Sequence, residues 1–311
     1  MMSLRAPAIL LGLAALAGCA DSDSYLARRA RFETRLLVRR PVQVPPGFPD
    51  TTVPHLNLDS WRPWAPCGLD SVPVPRPTGS LDSVTYRSGA WQLPAWVYTP
   101  PRPAGQRLPA LLYLHPGYNL SSRTAACATP FMTAGMVVMW PMYRGENGSP
   151  GSFELLLGEV DDAAAAAQWL AAQPQVDGKR VYAFGWSSGG GIAALLSLMD
   201  APIRHSGSSG GMFGSNLNQI GFRLPYDTTS VAEWEMRSLP ANIRWMRHPH
   251  YAYVEQGEDD FWGSSLVLIE RATRGQRTLL HLTMVPGTHF SIYPEAVRRY
   301  LNEILADGGA R

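Results

Sequence analysis

The stretch VYAFGWSSGGGIAALLSLM, residues 181–199, decides the fold. Val181 to Gly185 is a short, continuous apolar run, the pattern of a strand buried on both faces. Gly191 to Met199 is rich in Ala and Leu and predicts a helix. Between them Gly185-Trp186-Ser187-Ser188-Gly189 forms a G-x-S-x-G at a strand-to-helix turn. In that context the flanking glycines let two chain segments approach closely, and the turn leaves a serine hydroxyl exposed at the sheet edge. Ser187, not Ser188, has glycine two residues away on both sides, which makes it the candidate nucleophile. Gly189 to Ala194 also satisfies G-x-G-x-x-A, a dinucleotide fingerprint. That fingerprint wants an acidic residue about 20 positions on, at the end of a second strand. Ser206 to Gly211 offers only Ser and Gly there, so the nucleophile reading is preferred.

Outward from this stretch, strands and helices alternate. Ala95 to Tyr98 ends an early strand, and PALLYLH (Pro109 to His115) and GMVVMW (Gly135 to Trp140) are buried strands. Asp161 to Ala172 is an Ala-rich helix with acids in its first turn, where the macrodipole favours them. Downstream, Tyr251 to Glu255 and Thr278 to Val285 are strands, and Ile292 to Leu305 is a closing helix. Strands separated by helices imply right-handed crossovers and a mostly parallel sheet. The fold class is α/β, a mostly parallel central sheet with helices on both faces. The 251–255 strand runs into the acidic turn Glu258-Asp259-Asp260, and the 278–285 strand into Pro286-Gly287-Thr288-His289. Both turns fall at carboxyl ends of parallel strands, where ligands bind in open α/β sheets. Serine, acid and histidine thus follow one another in the order an elbow requires. His289 would take the Ser187 proton while the acid holds the imidazole tautomer and stabilises the imidazolium.

The strand-GWSSGG-helix, GEDD and PGTH segments, in this order, resemble an α/β-hydrolase. They are most similar to the branch that holds dienelactone hydrolases, acetyl xylan esterases and the catalytic domain of prolyl-oligopeptidase-type peptidases. The resemblance runs from about Leu81 to Leu305. It implies a triad of Ser187, Asp260 and His289, because in that branch the acid follows a glycine by three residues, which selects Asp260 over Asp259. An oxyanion hole needs two backbone N–H donors. Ser188, directly after the nucleophile, supplies one. His115-Pro116-Gly117-Tyr118-Asn119 resembles the His-Gly-Tyr turn of acetyl xylan esterases with Pro116 inserted, which makes the Tyr118 amide the other. The resemblance also covers Tyr143-Arg144-Gly145 and Glu159-Val160-Asp161-Asp162, read as structural: Arg144 ties a turn, the acids cap a helix, and His115 is structural too.

The implied activity is a serine hydrolase cleaving carboxylic esters through an acyl-enzyme. A small prolyl-oligopeptidase-like peptidase or a dienelactone-type hydrolase is the alternative. Esters are preferred because the prolyl-oligopeptidase relatives screen peptides with a propeller, for which the roughly 60 residues before Leu81 are too few. A non-catalytic binding lipoprotein is the reading from another class. The expected substrate is a small-molecule ester or a short peptide, with no cofactor and no metal. His248-Pro249-His250 reads as a turn before a strand, and His55, His205 and His281 have no partner pattern.

Composition bounds the rest. The chain has 311 residues, 45% apolar and 17% charged, against roughly 25% charged in an average domain. That composition argues for a sizeable core and against intrinsic disorder. A formal net charge of +2, with Lys179 the one lysine beside 26 arginines, gives no reason to expect nucleic acid. Residues 1–18 read as a signal peptide with Arg5 before an apolar run. Leu16-Ala17-Gly18-Cys19 resembles the lipobox of bacterial lipoproteins, which implies lipidation of Cys19 and a membrane anchor outside the cytoplasm. Ala20 at the next position favours the outer membrane. Residues 19–78 read as a tether and extended wrap, with Arg28, Arg29, Arg31, Arg35, Arg39 and Arg40 in one stretch, more readily a solvated helix face than a lipid-binding one. Residues 79–311 read as the catalytic domain. Within it, 212–247 is either a cap over the pocket or a set of core-facing helices. Cys67 and Cys127 are either a disulfide or two separate buried thiols.

Overall fold

The computed structural model describes residues 24–35, 54–62, 67, 77–214, 224–256, 269–275 and 278–309. Cys19 and the lipobox lie outside these residues. The chain divides into two units, Met1–Leu37 and Val38–Arg311. In the first, helix α1 (Tyr25–Arg35) carries Arg28, Arg29, Arg31 and Arg35.

The second unit is built on one eight-stranded sheet. Its strands are β1 (Ser80–Ser88), β2 (Trp91–Thr99), β3 (Leu108–Leu114), β4 (Val137–Pro141), β5 (Val176–Trp186), β6 (Ser206–Ser209), β7 (His250–Gln256) and β8 (Leu280–Pro286). They lie in the order β1-β2-β4-β3-β5-β6-β7-β8. The β1–β2 hairpin is antiparallel and joins β4 antiparallel, and every pairing from β4 to β8 is parallel. Between the strands run the helices α2 (Ser122–Ala126), α3 (Thr129–Thr133), α4 (Gly158–Ala171) and α5 (Ser188–Leu196). A closing helix, Tyr293–Gly309, completes the chain.

The period-2 alternation of the strands sorts the core into two layers. Leu111 and Tyr113 of β3, Trp140 of β4 and Phe184 and Trp186 of β5 meet Phe131 of α3 and Tyr293 and Tyr300 of the closing helix. On the opposite face Ala252 and Val254 of β7 pack with Ala194 of α5, and with Phe213, Leu239 and Ile243. The last three belong to the 212–247 segment. There α6 (Val231–Arg237) is capped by Ser230, whose hydroxyl accepts from the Glu233 amide. Helix α7 (Leu239–Asn242) follows. The buried Arg237 guanidinium pairs with Glu233 and donates to the carbonyls of Glu154 and Leu155.

Of residues 19–78, read from sequence as a tether and extended wrap, Leu56, Trp61 and Cys67 lie in the first layer. Trp61 Nε1 donates to Thr129 Oγ1 at 2.9 Å. Cys67 and Cys127 form a disulfide, with Cα atoms 5.7 Å apart.

Strand β6, Ser-Gly-Ser-Ser, carries no apolar pattern and escapes sequence reading, yet all four residues are buried. The reason is close packing on both faces. A Cβ on Gly207 would lie 2.5 Å from the Tyr300 ring, and a Cβ on Gly190 of α5 would lie 3.1 Å from Ser208 Cβ. The strand must be thin for its neighbours to fit.

His250, read from sequence as part of a turn, is instead the first residue of β7. It is fully buried, with Nδ1 2.8 Å from Ser206 Oγ and Nε2 2.9 Å from Ser208 Oγ. His205 is also buried and has a partner in Tyr300 Oη at 3.0 Å. Burial lowers His250 to about 3 and His205 to about 4. Both folded-state values lie below the unfolded one, so the stability each neutral ring contributes is present above about pH 6.5 and is lost as pH falls toward its folded value. Each adds a slope approaching about 1.4 kcal/mol per pH unit within that window. The urea midpoint should therefore fall steeply between pH 6.5 and pH 4, and more gently in His250→Gln. A midpoint independent of pH over that range would contradict this.

Candidate active site

Ser187 sits between β5 and α5 with φ 57° and ψ −120°, a backbone conformation that L-residues rarely adopt. Such strain costs about 1–3 kcal/mol and persists only where its surroundings over-determine it. Here three backbone bonds do so: Ser187 N to Ser209 O, Met212 N to Ser187 O and Gly191 N to Ser187 O, each 3.0 Å. The helix begins at once with Ser188, three residues earlier than its apolar pattern suggests, and takes Gly189, Gly190 and Gly191 into its first turns. Glycine is a poor helix former, but no side chain fits here. A Cβ on Gly189 would collide with the carbonyl of Leu114, and one on Gly191 with that of Met212. The elbow is thereby pressed against the end of β3.

That contact carries the loop after β3 to the elbow. Ser188 Oγ donates to Gly117 O at 2.9 Å, and Gly117 takes φ 78°. As the first residue of α5, Ser188 has an amide with no acceptor inside the helix. Tyr118 follows Gly117, its ring edge-on to Phe153 at 5.0 Å. The loop is braced from behind. Asn147 Nδ2 donates to Leu120 O at 3.0 Å while Asn147 Oδ1 accepts from Leu120 N at 2.8 Å. His115 Nε2 lies 2.9 Å from Glu146 Oε1, with its ring stacked on Tyr143 at 4.9 Å. Burial raises the Glu146 carboxyl above the usual range although His115 beside it acts the other way.

Arg144 holds the next layer together. Its backbone N and its Nε both donate to Asp162 Oδ2 at 2.9 Å, and Nη2 donates to Oδ1 at 2.8 Å. Asp162 thus serves the Arg144 turn rather than the helix terminus. Glu159 accepts from the amides of Glu154 and Leu157 just ahead of α4.

His289 lies in the turn between β8 and the closing helix. Thr288 N donates to Ser291 Oγ at 2.8 Å and Ser291 N to Thr288 Oγ1 at 3.3 Å, which sets the turn. Trp186, the residue before Ser187, donates from Nε1 to the His289 carbonyl at 3.2 Å, and the two rings are 5.9 Å apart. The structure therefore brings the 185–189 elbow, the 115–120 loop and the His289 turn to one end of the sheet. Asp260 lies outside the described residues.

A carboxylate that sequence reading passed over does reach this end. Glu255, near the end of β7, is buried, and its Oε1 lies 3.4 Å from His289 Nδ1. The signal was there: Glu255 is the one charged residue in the otherwise uncharged run Tyr251-Ala252-Tyr253-Val254-Glu255 of an interior parallel strand.

A serine at a strained turn, helix amides of its first turn, and a histidine at the adjoining strand ends are the parts that acyl transfer requires. Fold and elbow together define a serine hydrolase of the α/β-hydrolase class. Residues 89–203, from the β1–β2 turn through the elbow helix, match the X-Pro dipeptidyl-peptidase (S15) family. An uncharacterised protein of Mycobacterium tuberculosis is 31% identical over 262 residues, covering 76% of this chain and 85% of its own. The chain has the α/β-hydrolase fold and belongs to the family of this mycobacterial protein. An uncharacterised peptidase of Bacillus subtilis is 27% identical over 127 residues, 40% of this chain and 49% of its own. Among solved structures, a puromycin-hydrolysing peptidase of Mycobacterium tuberculosis superposes with a TM-score of 0.60 at 16% identity, covering 73% of this chain and 38% of that one. The chain spans little more than a third of the length of solved peptidases of this kind, 35% and 38% in two cases. These findings favour the peptidase-type alternative over the ester hydrolase that the sequence put first.

Proposed function

We propose that this protein is a serine hydrolase of the prolyl-oligopeptidase and S15 peptidase type, cleaving short peptides or aminoacyl amides through an acyl-enzyme. The observation that carries this reading is Ser187 at φ 57° on the β5–α5 turn, tied through Trp186 to the carbonyl of His289. In the proposed reaction Ser187 Oγ attacks the substrate carbonyl and His289 takes the hydroxyl proton. The amides of Ser188 and Tyr118 receive the developing oxyanion. Collapse of the tetrahedral intermediate breaks the bond to the leaving amine, which takes the proton from His289. Water, deprotonated by His289, then releases the acid and restores the serine. The triad acid proposed from the sequence is Asp260.

We further propose that the protein works outside the cytoplasm, anchored through a lipid on Cys19. The Leu16-Ala17-Gly18-Cys19 segment supports this, and so does the Cys67–Cys127 disulfide, since such bonds persist in oxidising compartments. Incorporation of labelled palmitate that disappears in Cys19→Ser is the expected result, and unlabelled wild type would refute the anchor.

The activity is tested with a fluorophosphonate label and a panel of dipeptide p-nitroanilides run beside p-nitrophenyl acetate. Covalent labelling with the highest kcat/KM on an anilide is expected. Labelling with turnover of acetate alone would return the protein to the ester hydrolases. A folded protein that neither labels nor turns over any substrate would refute a working serine.

A further inference from the structure

Glu255 has no place in the reaction as drawn from the sequence, and its position is costly. Its side chain is about 3% exposed, and neither carboxylate oxygen has a hydrogen-bond partner among the described residues. A buried polar group left in that state costs roughly 1–3 kcal/mol, more when charged. Fold stability alone would favour leucine or methionine there, because Tyr253, two residues back on the same face of β7, and Val285, its partner on β8, belong to the apolar first layer. What faces the carboxylate is the Nδ1 edge of His289, at 3.4 Å, a close approach rather than an aligned hydrogen bond. The floor beneath the pair is cut to fit both. Gly210, at φ 52°, follows β6, and a Cβ there would lie 2.5 Å from His289 Nδ1 and 3.1 Å from Glu255 Oε2. No residue but glycine lets the imidazole and the carboxylate meet over this strand end.

We infer that Glu255 is a positioning residue for His289. It is a carboxylate supplied from within β7, in addition to the acid of the 258–260 turn, that holds the Nδ1 side of the ring and stabilises the imidazolium formed when Ser187 gives up its proton. The inference rests on the proposed acyl-transfer reading. Attraction between a buried carboxylate and a ring that becomes cationic only during the reaction is stronger in the transition state than in the resting enzyme. It therefore accelerates the chemical step rather than binding.

The test compares wild type with Glu255→Gln, Glu255→Asp, Asp260→Asn and Ser187→Ala in the full chain. Steady-state kinetics on the best p-nitroanilide or p-nitrophenyl acetate are read beside thermal unfolding and the downfield imidazole N–H resonance of His289. Glu255→Gln should lower kcat about 10-fold or more with KM changed less than about twofold. Its Tm should hold or rise, since an unsatisfied buried charge has gone. Glu255→Asp should recover part of the rate, and the downfield resonance should shift in Glu255→Gln. Ser187→Ala reports separately on the reading beneath: if it keeps full activity, that reading fails whatever Glu255 does. If wild type depends on Ser187 while Glu255→Gln keeps kcat within about twofold, the inference is overturned. It is equally overturned if Glu255→Gln loses Tm and rate together and Glu255→Asp recovers neither, because that is the behaviour of a structural residue.

Discussion

Ser187→Ala should abolish covalent labelling and lower kcat by about 10⁴-fold or more, while the protein stays folded. The size follows from the serine forming the covalent intermediate. Without it, the oxyanion donors and binding alone leave only a residual acceleration of roughly 10³–10⁴ over water. That the fold survives follows from what holds the elbow. The bonds from Ser187 N to Ser209 O, and from Met212 N and Gly191 N to Ser187 O, are all made by the backbone. Alanine keeps them and meets the same backbone strain, so the thermal midpoint should move by no more than about a degree or two. Active-site titration with the fluorophosphonate, beside a thermal scan of both proteins, checks the two halves together. A variant that still labels at another serine would show that 185–189 is not the nucleophile turn. A variant that unfolds would show that the hydroxyl, not the backbone, carries the elbow.

The second large effect concerns stability. Replacing Cys67 and Cys127 together by serine, or reducing the native protein, should remove about 4 kcal/mol. The bridge closes a loop of 60 residues, and in the chain-entropy account such a closure removes about that much freedom from the unfolded chain. This is a large share of the roughly 5–15 kcal/mol that stabilises a typical domain. The bridge also has a local consequence. Cys127 follows α2, and its carbonyl accepts from Tyr293 Oη at 2.9 Å, so it belongs to the closing-helix layer. Cys67 lies in that layer together with Leu56 and Trp61. Urea titration with and without reductant should show a lowered midpoint, and limited proteolysis should cut first near residues 54–67. An unchanged midpoint would mean that Trp61 and Leu56 hold the stretch without the bridge.

Where local chemistry dictates local structure, the sequence is readable. The elbow is one strand, one turn and one helix in 19 residues, and its glycines and serine state their purpose by position. The buried strands from 109 to 115 and 135 to 140 are apolar throughout because a parallel sheet is covered on both faces. The tie of Arg144 to a turn was also within reach, although its partner, Asp162, was read as a helix-capping acid. Two antiparallel pairings at the sheet's edge, β1 with β2 and β2 with β4, were not read at all. Nothing in a half-exposed strand's pattern says which neighbour it will take.

Residues 181–199 thus determined by themselves the α/β class and the place of the serine, because strand period, helix pattern and elbow glycines act over a few residues. Only the tertiary structure decided the rest. Strand β6 is a strand because α5 and the closing helix press on it from either side. Cys67 and Cys127 meet across 60 residues because Trp61 and Leu56 have a layer to fill. Glu255 faces His289 because β7 and β8 run side by side and Gly210 leaves room between them. Each of these is a contact between segments far apart in the chain, set by packing and excluded volume, which no local pattern of residues encodes.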